Sequence, residues 1–192
     1  MESIVYKFSE YLLKIKKEDS PSSPREQENL GSLYCLSNDP RIGDSHQYST
    51  SEDLIDLANQ NPVAFLVSRE STKPFNLKIQ GFMGRWSVDA IGIIYADRDV
   101  VLDYFGDISE DSIETTRRIL TSEINIYNQY LQNSIYKYEL YSLDEDGYQG
   151  DLIDSSRGFY GKNPRTNKMF ESLPRQVALA LTNKQYTKTK ES

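Results

Sequence analysis

Residues 109–140 read SEDSIETTRRILTSEINIYNQYLQNSIYKYEL, and the change of period inside this stretch decides the fold. Ile113, Leu120, Ile124, Tyr127 and Leu131 recur at helical spacing, which places them along one face of a long amphipathic helix. Ser109 is the expected N-cap, because its hydroxyl can accept from a free backbone N–H of the first turn. Glu110 and Asp111 then stand at the positive end of the helix dipole. After Asn133 the period drops to two. Tyr136, Tyr138 and Leu140 share one strand face, and Ile135, Lys137, Glu139 and Tyr141 the other. A one-sided helix running into a strand implies helix-on-sheet packing.

Downstream, Asp144-Glu145-Asp146-Gly147 reads as a hairpin turn, with Gly147 supplying the positive φ. The return strand runs through Leu152-Ile153-Asp154 to Gly161. After Pro164 a last helix is expected on Leu173, Val177 and Leu181, with Pro174 near its start, and the tail 187–192 reads as frayed. Upstream lie strands at Leu33–Leu36, Val63–Val67, Phe75–Ile79 and Ile91–Tyr95. Two shorter helices join them, one capped by Thr50 with Asp53 and ended by Pro62, the other spanning Asp97–Phe105. The body, 30–161, therefore reads β-α-β-β-β-α-α-β-β. Ahead of it, Ile4, Phe8, Tyr11, Leu12 and Ile15 fit a helical stripe, giving an N-terminal amphipathic helix over 1–18. Pro21 and Pro24 mark 19–29 as a linker. The expected class is α+β: a mainly antiparallel sheet with helices on one face, the N-terminal helix, and a basic C-terminal helix and tail over 162–192.

Composition removes several functions. Among 192 residues, 22 Lys and Arg face 29 Asp and Glu, a net charge of −7. That opposes a protein that coats nucleic acid, whose footprint is a basic face. The balance is uneven along the chain. From Gly161 onward seven basic residues stand against two acidic ones, a net of +5, which leaves −12 on the preceding residues. One Cys, Cys35, and one His, His46, leave no internal disulfide and little for metal ligation, which fits a reducing, cytoplasmic setting. Asp144, Asp146 and Asp151 lack the spacing and the bidentate Glu of a calcium loop. No glycine-rich phosphate loop, signal peptide or membrane-length apolar run is present, and no cofactor is expected.

The 14 tyrosines are in excess of 7 Phe and one Trp. Tyr95, Tyr127 and Tyr138 fall on core positions, while Tyr130, Tyr141, Tyr148 and Tyr160 fall on other faces or in turns, where tyrosine supplies contact area at low entropic cost. The reading is a non-enzymatic protein-binding module facing a partner with a basic surface. Its expected interface is Asp144, Glu145, Asp146, Tyr148 and Asp151 on the hairpin, with Asp107, Glu110, Asp111 and Glu114 at the start of the long helix. Two alternatives stay open. One is a small enzyme centred on Arg41, Asp44 and His46 beside Trp86. The other is nucleic-acid binding through Lys162, Arg165, Lys168 and Arg175. Homodimerisation through the N-terminal helix is compatible with each.

Trp86–Tyr95, Glu123–Tyr138 and Asp154–Gly161, together with Arg41-Ile42-Gly43-Asp44, resemble in that order small acidic accessory proteins carried by phages, plasmids and other mobile elements. The resemblance spans roughly 30–161. Ser87, Asn133 and Ser156 depart from it, standing where Asp, Gly and Cys are common. It implies an accessory gene whose product antagonises a host nucleic-acid-targeting defence, of the anti-restriction or anti-CRISPR kind, by engaging a nucleic-acid-handling enzyme.

Overall fold

A computed structural model describes residues 3–70 and 73–191, the side chains of 73–75 and 191 excepted. Met1, Glu2 and Ser192, at the ends of the expected helix and tail, lie outside the described residues, as does the side chain of Phe75. In chain order the strands are β1 (Ser3–Lys7), β2 (Tyr11–Lys17), β3 (Ser32–Cys35), β4 (Val63–Glu70), β5 (Lys73–Gly81), β6 (Ala90–Ala96), β7 (Ile135–Leu143), β8 (Gln149–Tyr160) and β9 (Thr187–Glu191). The helices are α1 (Ser51–Gln60), α2 (Arg98–Phe105), α3 (Glu110–Leu131), α4 (Met169–Ser172) and α5 (Arg175–Thr182). The class is α+β, and from Leu30 to Gly161 the elements follow the order read from the sequence. The chain divides into two units, 23–132 and the combination of 1–22 with 133–192.

In the unit 23–132, β3, β6, β4 and β5 form one antiparallel sheet in that spatial order. Successive side chains of a strand point to opposite faces, so each face needs its own cover. Leu120, Ile124 and Tyr127 of α3 pack with Leu33, Val67, Leu77 and Ile94. Leu54 and Ala58 of α1 pack with Leu66, Ile93 and Tyr95. The expectation of helices on one face is therefore corrected here: neighbouring residues such as Ile93 and Ile94 are both fully buried, which requires a helix on either side. Two local devices hold α3 and its sheet. Ser109 caps the helix through the Ser112 N–H, and buried Asn128 of α3 binds Leu77 of edge strand β5 through both backbone groups, at 2.7 and 2.9 Å. That pair satisfies polar groups a sheet edge would otherwise leave open.

In the unit formed by 1–22 and 133–192, the strand order is β8-β7-β2-β1-β9, all antiparallel. The N-terminal amphipathic helix is not formed; residues 3–17 are the hairpin β1–β2. The apolar positions that fit a helical stripe also alternate: Ile4, Tyr6 and Phe8 on one limb and Leu13 and Ile15 on the other face the same side. Pairings Tyr6–Leu13, Leu13–Leu140 and Ile15–Tyr138 carry that face across three strands, and a sheet buries such aromatic and β-branched residues better than an isolated helix does. The face is covered by Met169, Leu173, Val177 and Leu181; the expected C-terminal helix forms as α5 with Val177 and Leu181, but Leu173 lies in extended backbone between α4 and α5, with Pro174 just ahead of α5. The tail is not frayed, since Thr187–Glu191 pairs with β1 as an added edge strand. Dimerisation through an N-terminal helix loses its element. The linker contains a short 3₁₀ turn, Pro24–Glu26, capped by Ser23.

Candidate functional site

The loop 38–48 holds the polar cluster of the enzyme reading. Its Asp39, Arg41 and Asp44 side chains are each engaged, while His46 is bound through Nε2 and its buried Nδ1 has no hydrogen-bond partner among the described residues. Asp44 accepts two hydrogen bonds from Arg25, from Nε at 2.8 Å and Nη2 at 2.6 Å, and a third from the Leu33 N–H at 2.8 Å. Arg25 also donates from Nη1 to Glu123 of α3 at 3.1 Å and from Nη2 to the Gly31 carbonyl. Its side chain is 7% exposed. Burial works against that charge, but the hydrogen bond and charge of Asp44, with those of Glu123, outweigh it and hold the guanidinium above its ordinary pKa. Glu123 completes the network by accepting from the Leu30 N–H at 2.8 Å.

Arg41 turns elsewhere. Its Nε and Nη2 reach Asp39 at 2.9 and 2.8 Å, and that hydrogen bond holds the Asp39 carboxyl at about 2. The Tyr127 hydroxyl donates to the Arg41 carbonyl and accepts from the Gly43 N–H at 3.1 Å, while burial pushes its pKa to about 12. Gly43 has φ +90°, and a Cβ there would lie 2.9 Å from the Leu33 carbonyl oxygen, so the turn requires glycine. His46 places Nε2 3.1 Å from the Cys35 carbonyl, with its ring centroid 4.9 Å from Tyr34 and 6.0 Å from Tyr48. Burial pushes the Cys35 thiol to about 12, against the thiolate a nucleophile needs. Trp86, with Tyr34 and Tyr48, packs on the cluster beneath α1. A shallow depression of about 510 Å³ is lined by Asp39, Asp44, His46 and Tyr48 among others. Arg41, Asp44 and His46 are thus neighbours in sequence held by three separate sets of partners.

The acidic candidates are all exposed. In the unit 23–132, Asp107 accepts from the N–H and hydroxyl of Ser109, and Glu114 lies 3.6 Å from Arg117 and 3.9 Å from Arg118. Glu110 and Asp111 face solvent in the first turn of α3. Sequence reasoning placed the helix ahead of them at Asp97–Phe105 but did not count it among the binding candidates. α2 exposes Val100, Leu102 and Tyr104, the last at 67%, beside Asp99 and Asp103. The available signal was apolar residues on more than one side of a short helix, Val100, Val101, Leu102 and Tyr104, of which the structure buries only Val101.

In the other unit, Asp144, Glu145 and Asp146 occupy the β7–β8 turn. Asp144 accepts from the Tyr148 N–H at 2.7 Å, and the Lys7 ammonium binds the Gly147 carbonyl at 2.8 Å. Tyr148 is 72% exposed, and Asp151, Leu152 and Ile153 follow it into solvent. Of the other tyrosines read as surface, Tyr130 stacks on Tyr127 at 6.0 Å, Tyr141 donates to Glu139 at 2.9 Å, and Tyr160 is half-buried. Tyr95, Tyr127 and Tyr138 are core residues, as read.

Of the four basic candidates, Lys162 and Arg165 line one cavity in the unit of 1–22 and 133–192. Lys168 sits at the start of α4 with φ +64°, and Arg175 opens α5 in solvent. Lys188 of β9 joins the first two, a convergence hidden in the sequence because β9 carries no apolar pattern. Among the described residues, no group of three or more His, Cys, Asp or Glu is placed to hold a metal ion. No described helix is long and apolar enough to cross a membrane.

No family model, curated protein or solved structure matches the chain.

Proposed function

We propose that the chain is a protein-binding module that presents acidic side chains interleaved with exposed apolar ones to the basic surface of a nucleic-acid-handling enzyme. One observation carries this reading: at the β7–β8 hairpin, Glu145, Asp146 and Asp151 stand exposed beside Tyr148, Leu152 and Ile153 at 72%, 54% and 48% exposure. Exposed carboxylates steer a basic partner and select against acidic ones, while the tyrosine and aliphatic groups supply the area that desolvates on contact. The α2 surface, with Tyr104, Val100 and Leu102 among Asp99 and Asp103, repeats the combination in the other unit. The resemblance to accessory proteins of mobile elements supports a cytoplasmic target in host defence, and inhibition by occlusion needs no catalytic group of this chain.

The test is inhibition of defined restriction and CRISPR nucleases by the purified protein across a salt series. Alongside it runs the variant Glu145→Lys, Asp146→Lys, Asp151→Lys. The reading expects inhibition that weakens with salt and is lost in the variant. Inhibition indifferent to both, or none against any basic-grooved nuclease at low salt, overturns it.

A further inference from the structure

We propose that the cavity lined by Lys162, Arg165, Phe170, Tyr186 and Lys188 binds a single nucleotide, taking the phosphate on its cations and the base on its aromatic and apolar wall. The cavity, of about 350 Å³, lies wholly within the unit formed by 1–22 and 133–192. It stands at the small end of the range for ligand sites, which suits one nucleotide and not a length of strand.

Its cations come from two separated segments, Lys162 and Arg165 from the loop after β8 and Lys188 from β9, and no lining residue is acidic. A concave surface bearing one sign of charge focuses its field, here within a chain whose net charge is −7. A bare anion would use only those three groups. Apart from Asn163, the remainder of the wall is aromatic and apolar: Ile4, Pro164 and Leu181 line it, the Tyr186 ring stands edge-on to Tyr6 at 5.0 Å, and Phe170 lies under Arg165 at 5.6 Å. Lys188 is over the Tyr6 ring at 5.4 Å. A ligand that satisfies both halves carries a phosphate on a flat, largely apolar body, and aromatic faces accept any base by stacking.

The loop is also set before a ligand arrives. The Asn163 carboxamide accepts from the Arg165 N–H at 3.0 Å, Asn167 donates to the Gly161 carbonyl at 2.8 Å, and the Phe170 N–H reaches the Pro164 carbonyl at 3.2 Å. The backbone at Arg165 and Phe170 is therefore held in place without the ordering cost that weakens binding by a loose loop.

The full-length protein, labelled for NMR, is titrated with AMP, adenosine and inorganic phosphate, and with a 5′-phosphorylated and an unphosphorylated oligothymidylate. The proposal expects AMP to shift the signals of Arg165, Phe170, Tyr186 and Lys188, with adenosine and phosphate each binding at least about tenfold more weakly. The double variant Lys162→Ala, Arg165→Ala should weaken AMP binding by a similar factor with an unchanged circular dichroism spectrum. Should that loop fail to fold, Lys188→Ala gives the same reading from a different element. An oligonucleotide that binds only when 5′-phosphorylated supports the site and identifies a strand end as the source; AMP binding alone supports it and identifies a free nucleotide. No shift at these residues with millimolar AMP or either oligonucleotide, phosphate binding as tightly as AMP, or undiminished affinity in the folded variants overturns it. Nuclease inhibition by the hairpin surface is unaffected by any of these results.

Discussion

Residues 39–46 read DPRIGDSH and residues 144–151 read DEDGYQGD, and both set acids around a glycine of positive φ. In the first, both acids are paired with arginines, and Asp44 is drawn into the fold. Arg25 clamps Asp44, Asp39 holds Arg41, and the Tyr127 hydroxyl spans the turn from below. In the second, Asp144 closes its own turn and the other acids stand in water beside Tyr148. The difference comes from partners far away in the sequence. Asp44 has a buried guanidinium and a long helix within reach, whereas the β7–β8 turn has one lysine, Lys7, which binds a carbonyl and not a carboxylate. A polar, glycine-bearing loop is therefore as apt to be folding machinery as a site, and what separates the two is whether charge is compensated by burial-grade partners.

The comparison can be broken most directly at Arg25. Replacing it by Ala leaves Asp44 and Glu123 facing each other without their cation. Breaking such a buried network costs roughly 3–5 kcal/mol, and Arg25→Ala should show this as a large drop in the urea midpoint. Tyr127→Phe removes a donor and an acceptor from the same loop and should cost about 1–3 kcal/mol, measured in the same way with α3 helicity retained. The pH dependence sharpens this point. Tyr127 and Tyr138 are held by burial at about 12 from an ordinary value near 10, so the folded state keeps protons that the unfolded chain has lost between these values. Stability from both residues is complete below pH 10 and falls as pH rises toward 12. Thermal melts across that window should decline, and Tyr127→Phe should flatten the decline.

Smaller again is Thr50→Ala. Thr50 and Asp53 form a reciprocal capping box at the start of α1, and its loss should cost about 1 kcal/mol. At the hairpin, Glu145→Lys with Asp146→Lys should change stability by no more than about 0.5 kcal/mol, as befits exposed positions. A hairpin variant that unfolds the protein, or an Arg25 variant that does not weaken it, would erase the distinction between the two loops.

The sequence made α3 legible because its stripe is long, one-sided and capped, and the body strands legible because Gly, Pro and Asp separate them. The β1–β2 hairpin was hidden because its turn, Ser9-Glu10, carries none of those residues and its apolar spacing fits two periods. β9 was hidden because TKTKE has no apolar face, and its strand comes from hydrogen bonding to β1. The acids at 144–151 could be read as exposed because a four-residue turn leaves nowhere to bury them. Arg25 could not be read at all. It lies in a proline-rich stretch that looks like a linker, and its partners are 19 and 98 residues away.

The pairing of β1 with β9 has a further consequence for the order of events during synthesis. Residues 23–132 are contiguous and carry their own sheet and helices, so they can fold while the chain is still emerging. The β1–β2 hairpin, made before them, must wait with Leu13 and Ile15 uncovered until β7 and α5 follow it more than a hundred residues later. A two-stranded ribbon is marginal alone. The hairpin is thus translated ahead of the rest of its own sheet and secured after it, and it is a part of the molecule in need of protection at the ribosome.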